Sequence, residues 1–187
     1  MAYADLQGAL VSLKLVTTTN LAKLHSRMQE PASYREAECA KPPDMERLKK
    51  RLFHDKSFVA WEMWPTTGGG CVGYVGLVMY AGPPFIYVDF FGKLDIDLAR
   101  DSMLAVLPAF FHNTEEERLC VHVIAELADQ VHGAIVEAGF DPIELTGFDA
   151  TKCKSYALAR DTYQIYYENA GGEHGDEGAE DEVGDEA

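Results

Sequence analysis

Cysteine is scarce in this chain. Cys39, Cys71, Cys120 and Cys153 are the four in 187 residues, and no two form a CxxC pair. That spacing argues against a zinc site or a disulfide framework and for neutral, buried thiols. Long apolar runs are lacking too, since no stretch approaches the about 18 residues that cross a bilayer. The opening MAYADLQGAL has neither the charged start nor the apolar core of a secretory signal. The expected compartment is therefore the cytoplasm, with no membrane partner. Basic charge is in short supply: 16 Lys and Arg stand against 31 Asp and Glu, a net charge of −15. A nucleic-acid binder would carry a basic footprint, so no direct nucleic-acid binding is expected. No internal repeat is visible.

The acidity is unevenly placed. The last 17 residues, GGEHGDEGAEDEVGDEA, hold eight of the acids and no Lys or Arg, leaving 23 acids against 16 bases elsewhere. Too polar to bury a core, this end is expected to be disordered. The chain thus divides into a domain over 1–168 and an acidic tail over 169–187. The tail would serve solubility, or dock on a basic protein surface.

Within the domain, ALVSLKLV reads as a strand and TTTN as a helix cap, followed by Leu21, Leu24 and Met28 on one helical face. Asp44 is placed to cap a second helix, MERLKKRLFH. SFVAWEMWP and CVGYVGLVMY form a hairpin about the glycines of TTGGG. FIYVDFF is a short apolar strand, expected to be buried on both faces. From Asp97 the period turns helical, with Pro108 expected to kink or end the helix. RLCVHVIA is a further strand, and Leu127, Val131, Ala134, Ile135 and Ala138 form a helical stripe stopped by Gly139. Two more strands are expected around a loop in DPIELTGFDATKCKSYALARDTYQIYYE, whose C-terminal part sets four tyrosines on a sheet as packing or a protein-binding surface. The mixture predicts an α/β fold: a mixed, mostly antiparallel central sheet with helices on both faces.

That element order, with AELADQVHGAIVEAGF and the closing KCKSYALARDTY, resembles the GNAT superfamily of acyl-CoA-dependent N-acyltransferases. The resemblance runs from about Val11 to Tyr167 and is most detailed in the C-terminal third. It implies acetyl-CoA as cofactor and an amine as acceptor, either on a small molecule or at a protein N-terminus. It also implies a phosphate-holding loop after the strand FIYVDFF, where glycines and a helix N-terminus offer amides to the pyrophosphate. Here that stretch is FFGKLDIDLARDS, with Gly92 as its one glycine. Phe90 and Phe91 would align the pantetheine arm, and Gly92 and Lys93 would be the remnant of the loop. Asp95 and Asp97 would repel phosphate, and Asp97 is placed to cap the helix and occupy its amides. The stretch therefore reads as a corner.

Two further positions that the resemblance singles out are Ala128, where an asparagine is expected, and Ile135, where a tyrosine often acts as general acid. Neither side chain donates a hydrogen bond. Asp89, in YVDFF, is the candidate general base, since an apolar setting would raise its pKa. Against that, it could lie at a strand edge, solvated or paired with Lys93. Glu62 is a second candidate, facing the same region.

No metal site is expected. His122 and His132 could approach one another but lack a third ligand. Arg47, Lys49, Lys50 and Arg51 make a basic cluster, read as a solvated helix face or a contact for an acidic partner, the tail included. Two functions follow. One is N-acetyl transfer from acetyl-CoA to an amine. The other is a non-catalytic interaction or structural module of the same fold, as among virion-associated proteins of short-tailed phages.

Overall fold

In the computed structural model, residues 3–29, 44–79, 82–145 and 151–168 are described. The acidic tail lies outside them. Among the described residues eight strands form one sheet: β1 (Leu6–Gln7), β2 (Val11–Leu15), β3 (Phe58–Pro65), β4 (Gly73–Val78), β5 (Phe85–Phe90), β6 (Arg118–Ile124), β7 (Asp141–Ile143) and β8 (Cys153–Ala159). Their spatial order is β1-β2-β3-β4-β5-β6-β8-β7. Every neighbouring pair is antiparallel except β5 and β6, which run parallel across the crossover helix α3 (Ile96–Asn113). The remaining helices are α1 (Leu21–Met28), α2 (Met45–Lys49, continued by a π turn to His54), α4 (Ala125–Glu137) and α5 (Arg160–Tyr163, continued by a π turn to Glu168).

Alternation along the strands sends apolar side chains to two cores, one on each face of the sheet. Leu13, Trp61, Val75, Ile86 and Leu119 meet Val106, Phe110, Val131 and Ile135 of α3 and α4. Phe58, Ala60, Tyr74 and Val78 meet Leu21, Leu24, Met28 and Leu48 of α1 and α2. Helices do cover both faces. Asp44 caps α2 as its side chain accepts from Arg47 N at 2.9 Å. Gly139 ends α4 at φ 79°, with Phe140 N reaching back to Ile135 O at 3.2 Å, and Phe140 is wholly buried behind it.

Four local expectations are corrected. The doubly buried strand is β4, buried at all six positions, whereas β5 buries Ile86 and Phe90 and half-exposes the rest. A strand with neighbours on both sides for its whole length is covered better than one whose ladder to β6 stops early. Pro108 does not end α3 early; the helix continues to Asn113. The proline is exposed, and buried Val106, Leu107, Phe110 and Phe111 on the opposite face hold the helix together. Asp95, not Asp97, caps α3, its carboxylate accepting from Leu98 N at 3.1 Å. Of the four late tyrosines only Tyr156 is on a strand; Tyr163 is buried in α5, and Tyr166 and Tyr167 follow in the π turn.

Candidate active site

The β5–β6 ladder has two residue pairs, Phe85–Cys120 and Ile86–Val121. Both strands run on, β5 to Phe90 and β6 to Ile124. From there β5 is laddered to β4 and β6 to β8, so the sheet parts between them. A parting strand edge presents backbone N–H and C=O groups, which an extended amide-bearing ligand can pair with. Helices α3 and α4 both begin at this end of the sheet, after Phe90 and Ile124.

The antiparallel register builds a row of side chains beside the parting. Lys14 of β2 is opposite Glu62 of β3, Glu62 is opposite Tyr74 of β4, and Tyr74 is opposite Asp89 of β5. All four share the face covered by α1 and α2, because their strand neighbours Trp61, Val75 and Ile86 belong to the other core. The two carboxylates singled out in the sequence thus flank one tyrosine. Glu62 is 6% exposed and accepts from Trp64 Nε1 at 3.3 Å. Tyr74 is also 6% exposed and hydrogen-bonds to Asp89. Burial, chiefly, and the adjacent Tyr87 and Asp89 push its phenol well above the usual tyrosine value, so it stays protonated at neutral pH. Asp89 itself is half-buried.

Cations and rings rim the row. Lys14 Nζ lies 4.3 Å from the Trp64 ring centroid, and the Arg27 guanidinium of α1 lies 4.4 Å from that of Phe91.

Tyr74 escaped the sequence reading, though the hairpin held its signal. Glu62 and Tyr74 are equidistant from Gly68, in the turn, so register alone pairs them.

The loop positions are spread around the end of β5. Phe90 is buried in the α3–α4 core, while the Phe91 amide donates to Val72 O at 2.9 Å. Gly92 and Lys93 are exposed, with nothing within 4 Å of where a Gly92 Cβ would be. Ala128 and Ile135 are buried in α4. His122 and His132 go to separate partners, Ser155 Oγ at 3.0 Å and the Tyr156 hydroxyl at 3.2 Å. Among the described residues no three His, Cys, Asp or Glu side chains cluster as metal ligands. No helix among them is long and apolar enough to cross a membrane.

A cavity of about 590 Å³, lined in part by Tyr3, Thr17, Leu52, Phe53, Phe58 and Met79, opens elsewhere. It lies at the Phe58–Val78 end of the hairpin, opposite the Met63–Gly73 end next to Asp89. It is therefore not part of the carboxylate row.

No protein-family model and no curated protein matches the chain by sequence. Solved structures do match by shape. FdhC, described as a nucleotide-linked sugar GNAT, aligns at TM-score 0.65 and 15% identity over 91% of this chain and 98% of its own. Spermidine N-acetyltransferase from Vibrio cholerae, in complex with CoA and spermine, aligns at 0.58 and 14% over 83% and 98%. A domain from Methanocaldococcus jannaschii aligns at 0.59 and 13% over 83% and 99%. With one parallel pair parting in an otherwise antiparallel sheet, and with these neighbours, the chain has the fold of the GNAT acetyltransferases.

Proposed function

We propose that the protein transfers an acetyl group from acetyl-CoA to an amine, with Asp89 as the general base. The observation that carries this reading is the position of Asp89, half-buried in the strand that borders the parting between β5 and β6. The edge of β5 suits the amide-bearing pantetheine arm. For the diphosphate the fit is partial: Gly92 is open and Lys93 is exposed, but Asp95 already holds the Leu98 amide. In the reaction the amine nitrogen forms a bond to the thioester carbonyl carbon, the carbon–sulfur bond breaks, and coenzyme A leaves as the thiolate, which takes a proton from solvent. Asp89 takes the proton that the nitrogen must lose. Glu62, one tyrosine away on the same row, adds negative charge that attracts a cationic acceptor. An amine acceptor is supported by neighbours of this fold that include a spermidine N-acetyltransferase.

The Asp95 cap favours a second reading, in which the fold has given up the cofactor and acts as a protein-interaction module. Calorimetric titration with acetyl-CoA separates the two, followed by mass-spectrometric screening of polyamines, amino sugars and peptide N-termini. Micromolar binding and an acetylated product that falls about 10²–10⁴-fold in Asp89→Asn support the enzyme. Neither binding nor product in the wild type overturns it in favour of the module.

A further inference from the structure

We propose that Tyr74 is a positioning residue for Asp89, and that Tyr87, seated on Gly76, is the group that orients Tyr74. The catalytic purpose assigned to this arrangement rests on the acetyltransferase reading.

The argument starts from Gly76. It is opposite Tyr87 in the β4–β5 register, and a Cβ there would lie 2.5 Å from the Tyr87 ring. Only glycine lets that ring lie flat across β4. The ring is then fixed on its other sides, parallel to Phe58 at 6.2 Å and edge-on to Tyr74 at 5.7 Å. Two residues along the same strands, Tyr74 is opposite Asp89. The Tyr74 hydroxyl hydrogen-bonds to Asp89. A carboxylate can only accept, so Tyr74 donates to Asp89, and the edge-on Tyr87 ring holds the Tyr74 ring in place to do so. A buried, protonated phenol is a suitable donor because it has no reason to give up its proton near neutral pH.

A donated hydrogen bond fixes the direction of the carboxylate and favours its charged form. A base half-buried beside a thioester needs both. Other charged or titratable groups around Asp89 are Glu62 of β3, Arg27 of α1 over Phe91, Lys93 beyond the strand end and Cys71 before β4. None of them is altered by removing one oxygen from Tyr74.

The test is the titration of Asp89, followed by ¹³C carboxyl NMR in the full chain, for wild type, Tyr74→Phe and Tyr87→Leu. Tyr74→Phe should raise the Asp89 midpoint by about 0.5–1 unit, and Tyr87→Leu, which takes away the ring that holds Tyr74, should raise it by less. An unchanged midpoint in Tyr74→Phe overturns the proposal. If that variant does not fold, Tyr87→Leu decides: an upward movement upholds the proposal, and none overturns it. With an acceptor in hand, Tyr74→Phe should lower kcat about tenfold with KM little changed, and move the acid limb of the pH profile upward. The NMR result stands without any substrate. Loss of the acetyltransferase reading, seen as neither acetyl-CoA binding nor product in the wild type, is therefore distinguishable from loss of this one.

Discussion

Gly8 and Asp101 meet so closely that a Cβ on the glycine would collide with the carboxylate. The contact exists because Asp101, on α3, accepts three successive backbone N–H groups from the β1–β2 turn: Ala9 at 3.1 Å, Leu10 at 2.8 Å and Val11 at 3.0 Å. One side chain thus ties the sheet edge to the crossover helix. Asp101→Ala should cost about 1–3 kcal/mol through the lost charged hydrogen bonds. Gly8→Ala should cost a similar amount by displacing the carboxylate. Urea denaturation of both variants and the double variant checks this. In the double variant the collision is gone, so the two costs should add to clearly less than their sum.

Arg160 does comparable work at the other end of α3. Its guanidinium donates to Phe111 O at 2.8 Å, Thr114 O at 2.7 Å and Glu116 O at 2.9 Å, and its carbon lies 5.1 Å from the Phe111 ring centroid. These carbonyls belong to the last turn of the helix and the chain leaving it, where intrahelical donors run out. Lysine keeps the charge but has one nitrogen and no fork. Arg160→Lys should lower the urea midpoint by the equivalent of about 1–3 kcal/mol, with the slope of the transition unchanged. A cost below a few tenths would show that charge alone serves there.

His122 makes the fold sensitive to mild acid. Burial beside Phe85, at 4.8 Å, depresses its pKa below the usual histidine value. As pH falls below about 6.5, the unfolded chain binds the proton at this position before the folded chain does. The stability tied to the neutral ring is complete above that pH and is lost as pH falls through the folded-state value. His122→Gln, which keeps a polar partner for Ser155, should flatten the fall in denaturation midpoint between pH 7 and 5. An identical fall in wild type and variant would sink the assignment.

The sheet, the hairpin and both helical faces were legible because their signals are periodic and local. Glu62 and Asp89 were legible as isolated acids in apolar strands, but their shared row was not, since it depends on two consecutive registers. Tyr74 hid among the apolar residues of CVGYVGLVMY, where a tyrosine reads as core. Asp97 reads as the cap in the sequence because both aspartates fit the start of the same apolar period, and only backbone geometry separates them: Asp95 is extended at φ −116°, while Asp97 is already in the first turn. The helical end, RDTYQIYYE, reads as strand in the sequence because its tyrosines have high strand propensity. What overrides propensity there is packing, with Tyr163 buried and stacked on Phe111 at 4.6 Å.

Asp95 is also where cofactor affinity should be adjustable. Its carboxylate occupies the Leu98 amide and puts a negative charge at the helix end nearest Lys93. Asparagine caps helices as well as aspartate does, so Asp95→Asn keeps the hydrogen bond and removes the charge. A diphosphate bound there would then be held about two- to fivefold more tightly, the range expected for one charge at a helix N-terminus. Calorimetry with acetyl-CoA reads this directly, and the gain should shrink at high salt, where the repulsion is screened. Asp97→Asn, which lies in the first turn and does not cap, should give a smaller gain. Wild-type binding with no difference in either variant would mean that the diphosphate is held away from α3. The basic groups on the α1 side, Lys23 and Arg27, would then be the next to substitute.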